Sequence, residues 1–318
     1  MKIIAQTAES GIATVYIGRM DNGKLVEFVE SCQPPIPKKK KWVLIISTMY
    51  GCPVKCRFCD SGGYYSGKLS KEEIFSQIDF LVDKFYPNSI INVDKFKIQF
   101  ARMGEPALNP SVLDVLKELP ERYNAPGLLP SISSIAPCGS ETFFTSLEQI
   151  KDKFYRNNFQ LQFSIHSTDE KQRNWLIPVK KWSFGEIAHY GSKFYTDDEK
   201  RKVTLNFALS KDSIIEPEIL LQYFSPEQFL IKITPVNPTY RSFENGIASY
   251  IQPGIVDYPI ITELKNSGYD VILSIGEFEE NKIGSNCGQY IMNYMRENSH
   301  LENSYTYNLD YVVEEVLV

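Results

Sequence analysis

The sequence predicts an α/β fold, a partial (β/α)6 barrel with an N-terminal β extension and a C-terminal cap. Three observations carry that expectation. The 318 residues are 43% hydrophobic and 23% charged, enough apolar side chain for a full core. Six β-rich runs alternate with amphipathic helical runs, the pattern of a parallel sheet with crossover helices. Those six units fill about 230 residues, short of the roughly 250 that a closed eight-unit barrel needs.

Residues 1–40 form the extension, because TVYIGRMDNGKLVEFVES places β-rich runs on either side of the turn signal Asp21-Asn22-Gly23. The barrel occupies residues 41–268. Its strands are expected at Lys41–Thr48, Phe96–Arg102, Leu129–Ile135, Phe159–His166, Lys202–Leu209 and Phe229–Pro235. The first helix spans Ser70–Phe85, where Ser70 and Glu73 make a capping box ahead of Ile74, Ile78 and Leu81 on one face. Pro110–Leu119, Thr142–Phe154, Pro217–Phe224 and Val256–Ser267 have the same periodicity. Residues 269–318 make the cap, with one more strand at Tyr269–Ile275 and a short helix within Asn286–Glu297.

Composition removes several classes of function. No apolar run approaches the roughly 18 residues of a membrane span, and the first residues lack a secretory h-region, so the expectation is a cytoplasmic protein that meets no membrane. A net charge of −5 argues against non-specific coating of nucleic acid. The run Lys38–Lys41 reads as a solvated loop.

Six cysteines are too few and too scattered for a disulfide scaffold, yet Cys52, Cys56 and Cys59 fall within eight residues. At this cysteine content a C-x3-C-x2-C window arises by chance in about 0.002 of chains. Three thiolates are one short of what a zinc ion or a [4Fe–4S] cluster requires, leaving one iron of such a cluster open to a chelating ligand. The segment Gly51-Cys52-Pro53-Val54-Lys55-Cys56-Arg57-Phe58-Cys59 resembles the radical SAM signature, including the aromatic Phe58 before the last cysteine. An iron–sulfur electron carrier would need a fourth nearby cysteine, and none lies between Cys59 and Cys138. A non-catalytic relative would be expected to have lost these motifs.

Further segments occur in the order expected of the RlmN and Cfr radical SAM methylases: CRFCDSGGYYSGKLSKEEIFSQI, ARMGEPALN, SISSIAP, LQFSIHSTDEKQRNWLIPVKK, ITPVNP and IGSNCGQY. The resemblance implies a [4Fe–4S] cluster on Cys52, Cys56 and Cys59, S-adenosyl-L-methionine (SAM) as cosubstrate, and an electron donor such as flavodoxin or ferredoxin. Phe58, Gly104, Glu105, Ser133, Ser164, His166 and Asn237, at or near strand ends, are then the SAM-binding candidates. Asn286-Cys287-Gly288-Gln289 resembles the family's methyl-carrying cysteine motif. In that family a first SAM methylates the cysteine, and a second yields a 5′-deoxyadenosyl radical that takes hydrogen from the S-methyl group, so that a methylene radical adds to an sp2 carbon. Glu27 resembles the β-extension glutamate that the family places near its nucleobase.

Two departures shape the expectation. Ile45 stands where the family has the cysteine that resolves the protein–substrate adduct, and Cys138, less directly Cys32, is the candidate replacement. Only some 40 residues precede the barrel, where larger members carry an RNA-binding module. The expected function is therefore transfer of a SAM-derived one-carbon unit through Cys287 to an unactivated carbon of a nucleotide, small molecule or short polymer rather than intact rRNA. The alternative is a non-methylating radical reaction on a non-rRNA substrate.

Overall fold

The antiparallel extension and the barrel strands belong to one eleven-stranded sheet. This computed structural model describes residues 1–7, 11–32, 36–195, 201–252, 255, 257–274, 288–295 and 309–310. Lys2–Thr7 (β1), Ala13–Arg19 (β2) and Leu25–Ser31 (β3) form a meander, with Arg19 opposite Leu25 across the Asp21-Asn22-Gly23 turn. Trp42–Ile46 (β4) runs antiparallel to β3 and opens the barrel; Met49–Gly51 (β5) and Tyr65–Lys68 (β6) pair as a separate hairpin. Phe96–Phe100 (β7), Leu128–Ser134 (β8), Gln160–Ser164 (β9), Val203–Leu209 (β10), Phe229–Pro235 (β11) and Val271–Leu273 (β12) continue parallel to β4 in chain order. Leu309–Asp310 (β13) pairs with β1 at the far edge, so the sheet does not close. Each predicted barrel strand is present, two at their expected length and four shorter by one to three residues.

The packed core lies on one face. Trp42, Leu44, Ile46, Phe96, Ile98 and Phe100 alternate toward the helices and are fully buried. Lys71–Phe85 (α1) starts at the predicted capping box: Ser70 Oγ accepts from the Glu73 amide at 3.2 Å and Glu73 accepts from the Ser70 amide at 2.8 Å, an arrangement worth about 1 kcal/mol. Ser111–Arg122 (α2) continues past Pro120, where the sequence suggested a stop. The carbonyl that Pro120 leaves without its helical partner belongs to Leu116, and Tyr155 Oη donates to it instead. Glu141–Ile150 (α3) then widens into a π turn over Lys151–Tyr155. Besides the five-residue Tyr240–Glu244, two longer helices escaped the sequence reading, Glu170–Leu176 (α4) and Phe184–Phe194 (α5). Their signals were an Asp169 N-cap and a Ser183–Glu186 capping box. Pro217–Tyr223 (α6), Tyr240–Glu244 (α7), Pro259–Asn266 (α8) and Gln289–Met295 (α9) complete the helices used below. No helix among the described residues is long and apolar enough to cross a membrane.

Helix α9 sits on the opposite face of the sheet. Its Tyr290 and Ile291 pack with Ala13, Val15, Ile17, Val29 and Met103 in a second apolar cluster. The lysine run is less solvated than its composition suggested: Lys38 pairs with Glu30 and lies over the rings of Trp42 and Phe85, while Lys40 reaches Asp94 at 2.6 Å.

Candidate active site

The cysteine loop leaves the C-terminal end of β4 and is held by a clip from the far side of the sheet. The Cys52 amide donates to the carbonyls of Ser61 (2.7 Å) and Tyr64 (3.0 Å), closing the loop on itself. Four consecutive loop carbonyls are then captured by side chains around α7. Arg241 donates to those of Lys55 (3.2 Å) and Cys56 (3.1 Å), Asn245 Nδ2 to that of Arg57 (3.0 Å), and Thr239 Oγ1 to that of Phe58 (2.9 Å). In return the buried carboxylate of Asp60 accepts from the amides of Tyr240 (3.2 Å) and Arg241 (2.9 Å). The sequence reading missed this clip, because its halves lie some 180 residues apart.

Val54, Ile135, Leu176 and Ile177 form an apolar wall against which Cys52, Cys56 and Phe58 pack. Burial pushes the Cys56 thiol well up, and Cys59, Cys52 and Glu105 push it further; burial and then Asp60 raise Cys59. A thiol whose ionisation its two neighbouring sulfurs disfavour, in a dry wall, suits a cationic iron centre that would relieve the repulsion. No three metal-ligating side chains among the described residues close into a single-ion cage. A cubane cluster, with irons at separate corners, takes its thiolates at wider spacing than one ion does.

The SAM-binding candidates gather around this loop. Gly104, at φ +99°, follows β7 where a Cβ would stand 2.6 Å from the Met49 Cβ and 2.7 Å from the Thr48 hydroxyl, so only glycine fits. Glu105 is buried and accepts from Ser134 Oγ (2.6 Å) and the amides of Ile135 (3.0 Å) and Ala107 (3.0 Å). Burial lifts its carboxyl to about 7, against the pull of those donors. His166 adopts φ +64°, packs edge-on against Phe58 at 4.8 Å, and accepts the Ala208 amide on Nδ1 at 2.9 Å. Burial and then Arg173 drop its pKa to about 3, so the ring is neutral with its proton on Nε2. Ser133 Oγ is buried and finds no partner among the described residues, as expected of a group that awaits a ligand. Ser164 ends β9, half-buried, and Asn237 lies in the turn that feeds the clip, its carbonyl accepting Ser242 Oγ at 2.9 Å. Asn206, opposite Ser164, is an addition: its buried Oδ1 also lacks a partner among the described residues. Glu105→Ala is expected to weaken SAM binding at least tenfold with iron content unchanged, since a charge-assisted hydrogen bond is worth about 1.5–3 kcal/mol. Equilibrium titration of the reconstituted protein checks this, and unchanged affinity would make Glu105 a strut between β7 and β8.

Glu27, expected beside a substrate base, has partners of its own within the chain. It is fully buried on β3, pairs with Arg102 Nε at 2.7 Å, and accepts the amides of Gly288 and, at 2.9 Å, Ile291. Burial raises its carboxyl, opposed chiefly by Arg102. Its oxygens are thus engaged in fastening the start of α9. Gly288, at φ +81°, completes the junction: a Cβ there would stand 2.3 Å from the Ser61 amide nitrogen and 2.6 Å from its Cα. Ser61 is two residues from Cys59. Cys287 itself lies outside the described residues, but its neighbour is wedged onto the cysteine loop.

No protein-family model matches the chain. It is 29% identical over 232 residues to a probable dual-specificity RNA methyltransferase RlmN of Chlorobium phaeobacteroides, covering 66% of this chain and 56% of that one. Over 280 residues it is 25% identical to the probable enzyme of that name from Petrotoga mobilis, covering 87% and 74%. Over 287 residues it is 25% identical to the dual-specificity RNA methyltransferase RlmN of Marinobacter nauticus, covering 87% and 72%. The chain is similar to the RlmN/Cfr radical SAM methylases. A radical SAM methyltransferase from Sphaerobacter thermophilus shares its fold, with a TM-score of 0.68 at 17% identity over 91% of this chain and 80% of that one. The chain spans 56% of the length of the first of these relatives.

In this RlmN/Cfr-like frame the remaining thiols separate clearly. Ile45 lies on β4 and packs beside Tyr290 and Met103 in the second apolar cluster. Cys32 follows β3, whose end pairs with the start of β4 at Ser31 and Val43, so it sits at the opposite end of the sheet from the cysteine loop. That placement removes Cys32 as a replacement thiol. Cys138 is exposed just beyond the C-terminal end of β8, its amide donating to the Lys180 carbonyl at 3.0 Å. Neighbouring Lys181 feels both Cys56 and Cys138.

Proposed function

We propose that this RlmN/Cfr-like enzyme transfers a SAM-derived one-carbon unit through Cys287 to an unactivated carbon of a nucleotide, small molecule or short polymer. The observation that carries the reading is the contact of Gly288 with Ser61, because it tethers Cys287 one peptide bond from the cysteine loop. Cys52, Cys56 and Cys59 would hold the [4Fe–4S] cluster. Fed by a donor such as flavodoxin or ferredoxin, the bound cluster supplies the electron that cleaves SAM. The chain does the rest by placement. Glu105 accepts from the methionyl ammonium, and neutral His166 offers its Nε2 proton to an acceptor. The wall of Val54, Ile135, Leu176 and Ile177 keeps water from the reacting centre. Glu27 and Arg102 hold the approach to Cys287 rigid.

The apolar setting of Ile45 favours a second reading, a radical reaction whose adduct needs no thiol at that place to resolve it. Peptide mass spectrometry after anaerobic turnover separates the two. Methylated Cys287 in the wild type and a trapped adduct in Cys138→Ala are the expected pattern; an unmodified Cys287 with product still formed would remove methyl-cysteine chemistry.

A further inference from the structure

The side chain of Arg57 serves neither the candidate cluster site nor SAM, and it ties the cysteine loop to an exposed tryptophan. Its guanidinium lies 5.1 Å from the centre of the Trp175 ring, its Nε donates to the Trp175 carbonyl at 2.9 Å, and its Nη1 donates to Asn245 Oδ1 at 3.1 Å. The Arg57 amide donates in turn to the Leu176 carbonyl at 3.0 Å, so this residue caps the C-terminal end of α4 while it stacks on Trp175. Trp175 is nonetheless 43% exposed. An arginine–tryptophan pair fixed by three hydrogen bonds has already lost the side-chain freedom that a docking partner must otherwise freeze, and these two residue types dominate binding at protein interfaces.

Positive charge is in excess around this pair. The segment Lys55–Cys59, α4 and the end of α7 meet here, because Arg57 reaches both helices and Arg241 Nη2 donates to the Lys55 carbonyl at 3.2 Å. Lys55 and Lys171 are exposed, Arg57 and Arg241 half-buried. Lys171 precedes Trp175 by four residues and so shares its face of α4. Against these cations the three segments set two exposed carboxylates, Glu170 and Glu244. The chain as a whole carries a net charge of −5. A locally positive ledge on a negative chain orients an acidic partner as it approaches, since the rest of the surface repels it.

The position of the ledge indicates the kind of acidic partner. Lys55 and Arg57 flank Cys56, and consecutive Cα atoms are about 3.8 Å apart, so a protein seated here is one residue from a thiolate of the proposed cluster. Electron transfer falls off steeply with distance, and redox proteins meet through small, charged interfaces. A nucleic acid would also find cations and an aromatic ring on the ledge, but nothing in its chemistry calls for closeness to the cysteines. We propose that Lys55, Arg57, Lys171, Trp175 and Arg241 form the docking surface for an acidic one-electron carrier protein that reduces the cluster. The carrier is oxidised by one electron and the cluster reduced by one, with no bond made or broken. This rests on the proposed cluster at Cys52, Cys56 and Cys59, but docking is measurable without turnover.

Isothermal titration of the reconstituted holoprotein with oxidised flavodoxin, and separately with a [2Fe–2S] ferredoxin, tests the surface. At least one carrier is expected to bind the wild type with an affinity that falls as salt rises, and to bind Trp175→Ala and Lys171→Glu at least tenfold more weakly. Both substitutions lie outside the cysteine loop. 5′-Deoxyadenosine formation driven by dithionite is therefore expected to keep its wild-type rate in both variants, while the rate driven by the reduced carrier falls. A wild type that binds the carrier yet cleaves no SAM with dithionite supports the ledge and refutes the proposed reaction. Binding of neither carrier to the wild type, equal carrier affinity in wild type and both variants, or a loss in the variants confined to binding of a short single-stranded RNA overturns the inference.

Discussion

Cys56→Ala is expected to leave the protein folded but unable to retain a [4Fe–4S] cluster, with 5′-deoxyadenosine formation at background. Cys56 is the middle thiol of the loop, the one on which Cys52, Cys59 and Glu105 all act, and its carbonyl is gripped by Arg241. Its sulfur packs beside Val54, Ile135 and Leu176 without belonging to the main core, so alanine removes a ligand and little else. Two chain thiolates then remain, and the clip from Thr239, Arg241 and Asn245 still forms because it grips backbone. Iron and sulfide assay, the visible absorption of the anaerobically reconstituted protein, and chromatographic detection of 5′-deoxyadenosine together read the outcome. Four firmly bound irons with full SAM cleavage in the variant would refute the assignment of the loop.

Glu27→Gln is expected to lower the thermal midpoint by roughly 5 °C and to uncouple SAM cleavage from product formation. The side chain keeps its size, but Arg102, 2% exposed, loses its buried counter-charge. Breaking such a pair costs about 3–5 kcal/mol, and each kcal/mol lowers the midpoint by roughly 1.5 °C in a chain of this size. The amide of glutamine also presents a donor where the amides of Gly288 and Ile291 need acceptors, which loosens the start of α9. The cysteine loop, fastened independently through Asp60 and Arg241, keeps its geometry. 5′-Deoxyadenosine should therefore still form while modification of Cys287 falls. A variant with an unchanged midpoint and intact coupling would place the fastening of α9 elsewhere.

The strands were legible because each barrel strand turns one aliphatic or aromatic face to the helices, and that alternation survives in sequence at Trp42, Leu44 and Ile46 or Phe96, Ile98 and Phe100. The candidate cluster loop was legible as a candidate because Cys52, Cys56 and Cys59 are nearly contiguous. Glu27 was noticed for another reason and its protein partners were not: Arg102, Gly288 and Ile291 lie far along the chain, and no local pattern links them to it. Helices α4 and α5 escaped because their clearest marks are single caps at Asp169 and Ser183 rather than a long apolar stripe. The role of Asp60 was hidden in the same way as that of Glu27, since a carboxylate that follows Cys59 has no meaning until Tyr240 and Arg241 fold against it.

The division of the sheet into a dry, helix-covered face and a polar inner face has an evolutionary consequence. Cooperative stability is invested in Trp42, Phe100, Phe163, Phe207 and their neighbours, none of which lies on the inner face. Positions such as Gln99, Ser131 and Gln162 can therefore exchange one polar side chain for another with little effect on the packed core. A scaffold organised in this way lets selection vary the polar inner face while the cysteine loop and its clip stay as they are, so that changes in what that face accepts are accessible by single replacements.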